Sequence, residues 1–122
     1  MPTDRMLHHW ERDIAEVVTL GASGTLDLAA AALKDVVIAK ATLTGAATFN
    51  APTGGREGQR VRYLFTASGA SRTLTQGATI KGAALLDIAS AGAGVVASGA
   101  TRMIELVFVN NAWVKVTEIQ YT

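Results

Sequence analysis

The sequence contains no cysteine, few aromatic residues and few charges, and each shortage limits what the protein can be. Without cysteine, this chain of 122 residues can form no disulfide and use no thiol chemistry. No apolar run approaches the length of about 18 residues that a membrane-spanning helix needs. The first residues are polar and lack the apolar stretch of a signal peptide. We therefore expect a protein that stays where it is made or is packaged from there.

The charge balance and the small residues both bear on partners. A net charge of +1 gives no general attraction to nucleic acid or to a membrane surface, and we expect neither as a partner. The chain contains 22 alanines and 12 glycines, which bury little apolar area each. A single domain with such a thin core is often completed by another subunit. The composition therefore predicts an oligomer.

The clearest local pattern is a β-hairpin over residues 102–120. Two runs rich in valine, isoleucine and aromatic residues flank Asn110 and Asn111, and asparagine tolerates the positive φ of a two-residue type I′ turn. This turn predicts four cross-strand pairs: Val109 with Ala112, Phe108 with Trp113, Val107 with Val114, and Leu106 with Lys115.

Both faces of this hairpin are apolar. One face carries Ile104, Leu106, Phe108 and Trp113, and the other carries Val107, Val109, Val114 and Val116. A hairpin that is apolar on both faces is covered on both sides, by its own domain or by a partner chain. We expect the first face to close the core and the four valines to form a subunit or partner interface.

Residues 2–18 differ from the rest, since they are rich in charge and carry an apolar stripe at helical spacing that includes Met6, Trp10 and Ile14. The pattern predicts an N-terminal helix or arm over 1–21, followed by a β-domain over 22–122. The stripe packs either on its own domain or on another chain, where Trp10 and Ile14 would serve as interface anchors.

The rest of the chain has strand patterns separated by turns that are rich in glycine. We expect strands at 25–29 and 35–44, with a turn near Leu33 and Lys34, although the alanine run between them also suits a short helix. A further strand follows over 46–50, and another begins at Arg60, with its alternate residues Val61, Tyr63 and Phe65 on one face. The fold class is therefore all-β: a small antiparallel β-sandwich or barrel with an N-terminal helix or arm.

The residues show little site chemistry. His8 and His9 are adjacent, so their side chains point apart, and no cysteine or carboxylate is spaced to join them around a metal ion. The carboxylates of the β-domain are scattered, and no serine, histidine and aspartate form a nucleophilic set. We expect no enzyme, no cofactor and no metal.

One charged feature remains, a basic patch in the middle of the chain. It comprises Arg56, Arg60, Arg62 and Arg72, and with Lys81 it sets five cations against Glu57 alone. The patch is either a solvated strand face or a surface that meets an acidic partner or glycan. Nucleic acid is a poor match, because no aromatic residue shares the face of Arg60 and Arg62 for base stacking.

The order of these features resembles the β-modules of bacteriophage virion proteins, such as tail fibres, head fibres and capsid decoration proteins. The segments that carry the resemblance are Gly58-Gln-Arg-Val-Arg-Tyr-Leu-Phe65, Arg72-Thr-Leu-Thr75, Gly77-Ala-Thr-Ile-Lys-Gly82 and the hairpin from Ile104 to Val116. The resemblance covers about residues 25–120 and implies a homotrimer that binds a capsid or a cell surface.

Three functions follow as expectations. The first is a virion structural protein, made in the host cytoplasm, that decorates the head surface by docking on the major capsid protein or another virion protein. The second is a tail-fibre or receptor-binding module that recognises a host glycan or protein. The third is a cellular carbohydrate-binding β-sandwich, for which two tryptophans and two tyrosines are a small supply of aromatic residues.

Overall fold

The computed structural model describes residues 15–82, 88–90 and 93–122, and ten strands lie in these ranges. They are β1 (Glu16–Thr19), β2 (Gly24–Leu26), β3 (Val36–Leu43), β4 (Ala47–Phe49), β5 (Arg60–Ala67), β6 (Arg72–Gln76), β7 (Ile88–Ser90), β8 (Ala93–Val96), β9 (Thr101–Val109) and β10 (Ala112–Tyr121). The described chain is mostly β and contains no helix, so the all-β class is confirmed at that level.

The strands form two five-stranded mixed sheets. Sheet one has the order β1-β3-β5-β9-β10, and sheet two has the order β2-β4-β6-β8-β7. The first six strands alternate between the sheets, so each strand lies parallel to the one two places earlier. The later pairs are antiparallel. The prediction of a purely antiparallel arrangement is therefore wrong for the first half of the chain.

The last residues of the predicted N-terminal helix or arm form a strand. Glu16–Thr19 forms β1, which pairs in parallel with β3 from Glu16 opposite Val37 to Thr19 opposite Lys40. The β-branched Val17 and Val18 suit this pleated edge better than a helix. Met6, His8, His9, Trp10 and Ile14 lie outside the described residues.

The two sheets share one apolar core. The ring of Phe49 on β4 lies 5.3 Å from that of Tyr63 and 5.2 Å from that of Phe65, both on β5. Val61, Tyr63 and Phe65 are each at most 1% exposed, together with Ile104 and Leu106 of β9. The prediction that one face of the hairpin closes the core with the β5 residues is confirmed.

The alanine run forms a turn, and the loop before β5 fixes its position. Leu33 N–H donates to Ala30 O at 3.0 Å. The buried amide of Gln59 donates to Ala30 O at 3.0 Å and to Lys34 O at 2.9 Å. The short-helix alternative for this run is therefore wrong, and the turn near Leu33 is confirmed.

The hairpin has the predicted turn and register. Asn110 and Asn111 have φ of 51° and 63°, and all four predicted pairs are present. Beyond them, a β-bulge between Lys115 and Thr117 shifts the register, so that Glu118 lies opposite Ile104. The bulge reverses the inward and outward alternation along β10. After it, side chains that regular alternation would point outward face the core instead.

Candidate interaction surface

The longest described strands belong to sheet one, and their outward side chains form one face. Strand pairing aligns its outward side chains in rows: Val36-Arg60-Val107-Val114, then Val17-Ile38-Arg62-Glu105-Thr117, then Thr19-Lys40-Leu64-Met103-Ile119, and finally Thr42-Thr66-Thr101-Tyr121. We call this surface the outer face of sheet one. The first row is mostly valine, the second carries a charged pair, the third is apolar on β5, β9 and β10 but begins with Thr19 and Lys40, and the fourth carries hydroxyl groups.

This face concentrates exposed apolar side chains. Among the described residues, five large hydrophobic side chains are exposed, and all of them belong to strands of sheet one: Val17, Val36, Val116, Ile119 and Tyr121. The opposite side of the molecule differs. On sheet two one aligned row of outward residues consists of Thr25, Thr48 and Thr75. This row of sheet two therefore exposes hydroxyl groups, whereas sheet one combines exposed apolar side chains with charged and hydroxyl-bearing ones.

The charges of the outer face of sheet one are predominantly positive. The Glu105 carboxylate lies 3.8 Å from the Arg60 guanidinium and 3.5 Å from that of Arg62. The Glu105 side chain is 15% exposed, while those of Arg60 and Arg62 are 54% and 47% exposed. Lys40 adds a third cation one row away. Arg60 and Arg62 thus pair with a single carboxylate, and about half of each arginine side chain remains exposed to solvent.

The structure separates the members of the predicted basic patch. Arg60 and Arg62 stay together on β5, but Arg56 turns away and donates to Asp35 Oδ1 at 2.9 Å and to Leu33 O at 2.6 Å. Arg72 donates to Ser68 O at 3.1 and 2.7 Å. Arg56 and Arg72 therefore form hydrogen bonds within loops. Of the four predicted patch residues, Arg60 and Arg62 stay together on β5.

The predicted interface valines lie in the hairpin part of the same face. Val107, Val109 and Val114 are partly buried, and Val116, which stands at the bulge, is 50% exposed. Trp10 and Ile14, predicted as interface anchors, lie outside the described residues. Val107 lies directly opposite Arg60, so this group of valines meets the arginine pair, which sequence reasoning had treated as a separate feature.

A buried ionic cluster on the core side of the hairpin was not predicted. Glu118 accepts from Arg102 Nη1 and from Lys115 Nζ, each at 2.5 Å, and all three side chains are at most 6% exposed. Arg102 also donates to Gln120 Oε1 at 2.8 Å and to Val95 O at 2.9 Å. The bulge creates the cluster by turning Glu118 inward, and no local sequence pattern signals that shift.

One titratable group in the core is strongly perturbed. Burial raises the pKa of the Tyr63 hydroxyl well above its ordinary value, and the nearby Asp27 carboxylate raises it further. Tyr63 is 1% exposed and packs between the sheets, so its phenol serves as a neutral core side chain. We assign it no part in a reaction.

Among the described residues, no three histidine, cysteine or carboxylate side chains are grouped to hold a metal ion. No helix in the described ranges is long and apolar enough to cross a membrane. No protein-family model matches the chain, and no curated protein or solved structure matches it either.

Proposed function

We propose that this chain is a structural protein of a phage-like virion, a capsid decoration protein that assembles as a homotrimer and docks on the head shell. The observation that carries the proposal is the outer face of sheet one. All five exposed large hydrophobic side chains in the described part of the chain belong to this sheet. Exposed apolar side chains concentrated on one sheet mark a candidate site of protein association.

The size of the face suits subunit contact. Five strands spaced about 4.8 Å apart, with four to ten residues of about 3.3 Å each, span an area on the order of 600 Å². A standard protein interface buries about 800 Å² on each partner. The face is thus large enough to supply most of one subunit's share of a stable contact.

The rows give this contact an internal order. When copies of the face meet around an axis, apolar side chains such as Leu64 and Met103 pack between subunits, and Glu105 keeps its ion pairs with Arg60 and Arg62 of its own chain. A slip of the contact by one row would press the half-exposed arginines against Leu64 and Met103, which disfavours other registers. Arg60 lies in the end row of the face and Arg62 in the next row, so their exposed cations suit an acidic shell surface beside this contact.

Electron microscopy of particles that carry the protein tests the proposal. We expect extra density at symmetry axes of the shell, and sedimentation of the free protein at three times the chain mass of 12.7 kDa. Density on a tail, or no density on any particle, would overturn the decoration role. A protein that sediments as a monomer at micromolar concentration would overturn the assembly.

A hollow on the same face favours a second candidate, a receptor-binding module that recognises a glycan. It measures about 430 Å³, and its lining includes Lys40, Tyr121 and the hydroxyl groups of Thr42, Thr66 and Thr101. Hydroxyl groups, a cation and an aromatic ring can together bind the polar edge and the apolar face of a sugar. Specific binding on a glycan array, lost in the Tyr121→Ala variant, would favour this candidate over decoration.

A further inference from the structure

The hollow on the outer face of sheet one contains a lysine that has no acidic neighbour. Among the described residues that line it, the exposed Lys40 is the one charged side chain, and none is a carboxylate. Within the described ranges Lys40 forms no ion pair, because Glu105, the carboxylate of the neighbouring row, already pairs with Arg60 and Arg62. The Lys40 ammonium is therefore available to an anionic group that enters the hollow.

Hydroxyl groups line the hollow beside this lysine. The Oγ1 atoms of Thr66 and Thr101 lie 2.8 Å apart and share a hydrogen bond. Each threonine hydroxyl has one proton and two lone pairs, so this bond leaves the pair with one donor and three acceptor positions for a ligand. Thr42 and Tyr121 continue the row, since they lie opposite Thr66 and Thr101 on the flanking strands. At about 4.8 Å between strands, the row extends over about 14 Å.

The other lining residues can contact the apolar face of a ring. Leu64 lies on the central strand of the sheet, Val17 is 61% exposed and Tyr121 is 49% exposed. The hollow's volume of about 430 Å³ falls within the range of about 300–1,000 Å³ that is usual for small-molecule sites. Every lining residue belongs to β1, β3, β5, β9 or β10, so regular strands hold the site in place.

We propose that this hollow binds a sugar that carries a carboxylate, with Lys40 pairing with the carboxylate and the threonine pair binding ring hydroxyls. Lys40 and Thr42 are two residues apart on β3, about 6.6 Å along the strand. The cation and the hydroxyl row can therefore contact opposite ends of one sugar ring. The half-exposed Arg62 in the neighbouring row adds to the positive potential that attracts such an anion. The inference rests on the second candidate function, glycan recognition, and names the class of glycan.

Sugar titrations of the full chain, followed by NMR, test this inference. The acidic probes are methyl glucuronide and N-acetylneuraminate, which carry a carboxylate on two different classes of sugar. Methyl glucoside is the neutral match for the glucuronide. We expect at least one acidic sugar to bind about fivefold more tightly than the glucoside, the upper end of what one solvent-exposed ion pair contributes. High salt should reduce this preference.

Three variants locate the preference in the hollow. Lys40→Gln should bind acidic and neutral sugars with equal affinity. Lys81→Gln removes an exposed lysine outside this hollow and should keep the preference for acidic sugars. Thr66→Val keeps the branched shape of the side chain but removes one hydroxyl of the pair, so it should weaken the binding of both kinds of sugar.

Several results would overturn the inference. Binding of the glucoside as tightly as both acidic sugars would exclude the acidic class and leave glycan recognition intact. A preference that survives in Lys40→Gln would place the acidic sugar elsewhere, and displacement of the acidic sugar by an equal concentration of inorganic sulfate would reduce the hollow to a simple anion site. Absence of binding by all three sugars would overturn this inference alone. The glycan array decides separately whether another glycan is recognised, and microscopy and sedimentation decide the decoration role.

Discussion

Glu118 Oε2 lies 2.5 Å from Arg102 Nη1, and both side chains are only 3% exposed. The other carboxylate oxygen of Glu118 accepts from Lys115 Nζ at the same distance. One buried carboxylate thus binds two cations at the end of the hairpin. Removal of one partner of a buried ion pair is costly, because the remaining charge has already lost its hydration.

We expect Glu118→Gln to lower the free energy of unfolding by about 3–5 kcal/mol, because Arg102 and Lys115 lose their shared carboxylate while the shape of the side chain is kept. Urea denaturation followed by circular dichroism measures the change. A loss below about 1 kcal/mol would show that water reaches the cluster and compensates the lost charge.

The exposed pair of Arg56 and Asp35 provides a matched control. Their side chains lie 2.9 Å apart but are 44% and 83% exposed. Solvent screening limits such a pair to at most about 1 kcal/mol. Asp35→Asn should therefore have a far smaller effect than Glu118→Gln, although both substitutions replace a carboxylate with an amide.

The elements that sequence reasoning predicted correctly depend on neighbouring residues. The Asn110-Asn111 turn needs only two residues that tolerate positive φ, and it fixes the Phe108–Trp113 pair by itself. The inward set Val61, Tyr63 and Phe65 follows from strict alternation along a single strand.

The features that were missed depend on contacts between distant segments. Val37 on β3 pairs in parallel with Val61 on β5, and between these strands the chain forms β4 in the other sheet. No local sequence pattern predicts the register in which β5 then pairs with β3. The bulge beside Lys115 inserts one residue into an otherwise regular alternation, and it alone decides that Glu118 faces inward. Long-range register and single-residue irregularities were therefore outside the reach of the sequence.

The raised pKa of Tyr63 predicts a loss of stability at alkaline pH. Above about pH 10 the unfolded chain releases the phenolic proton while the folded protein retains it, so the folded state becomes less favoured as pH rises. The contribution of this tyrosine is complete below that pH and then declines by up to about 1.4 kcal/mol per pH unit.

Replacement of the hydroxyl tests this assignment. Tyr63→Phe should show a shallower alkaline decline than the natural chain in urea titrations from neutral pH upward, whereas Tyr121→Phe, at an exposed strand end, should follow the natural chain. Identical declines in the natural chain and Tyr63→Phe would mean that other groups control alkaline unfolding.

The assembly role of the valines can be separated from their role in folding. Val107 and Val114 are cross-strand neighbours on the outer face of sheet one. The double variant Val107→Asp, Val114→Asp should sediment as a folded monomer, because two carboxylates then face any subunit that covers this surface. Thr48 and Thr75 form an equivalent pair on sheet two, and their double change to Asp should leave assembly intact. An intact oligomer in the valine variant would mean that this face is not buried between subunits.

Arg60 and Arg62 test docking apart from assembly. Reversal of both to Glu replaces the exposed cations with carboxylates, and at low salt we expect it to abolish binding to an acidic partner surface. Binding to purified shells, measured by co-sedimentation across a salt series, gives the readout, and a variant mass equal to that of the natural oligomer confirms that assembly survives. Unchanged docking at low salt would exclude the arginine pair from the contact.

Gly55 controls how closely the loop before β5 approaches the hairpin. Its φ is +152°, and a Cβ placed there would lie 2.7 Å from Phe108 Cδ1 and 3.0 Å from Trp113 Cζ2. Gly55→Ala must therefore displace the edge-to-face pair of Phe108 and Trp113, and we expect a cost of about 1–3 kcal/mol from overpacking in addition to backbone strain.

Gly99→Ala, also at positive φ but with no atom within 4 Å of the added carbon, should show the strain alone. Urea denaturation of both variants, with near-ultraviolet circular dichroism to report the aromatic pair, separates the two contributions. Equal losses would mean that the aromatic rings move aside at no cost and that the loop does not fix their packing.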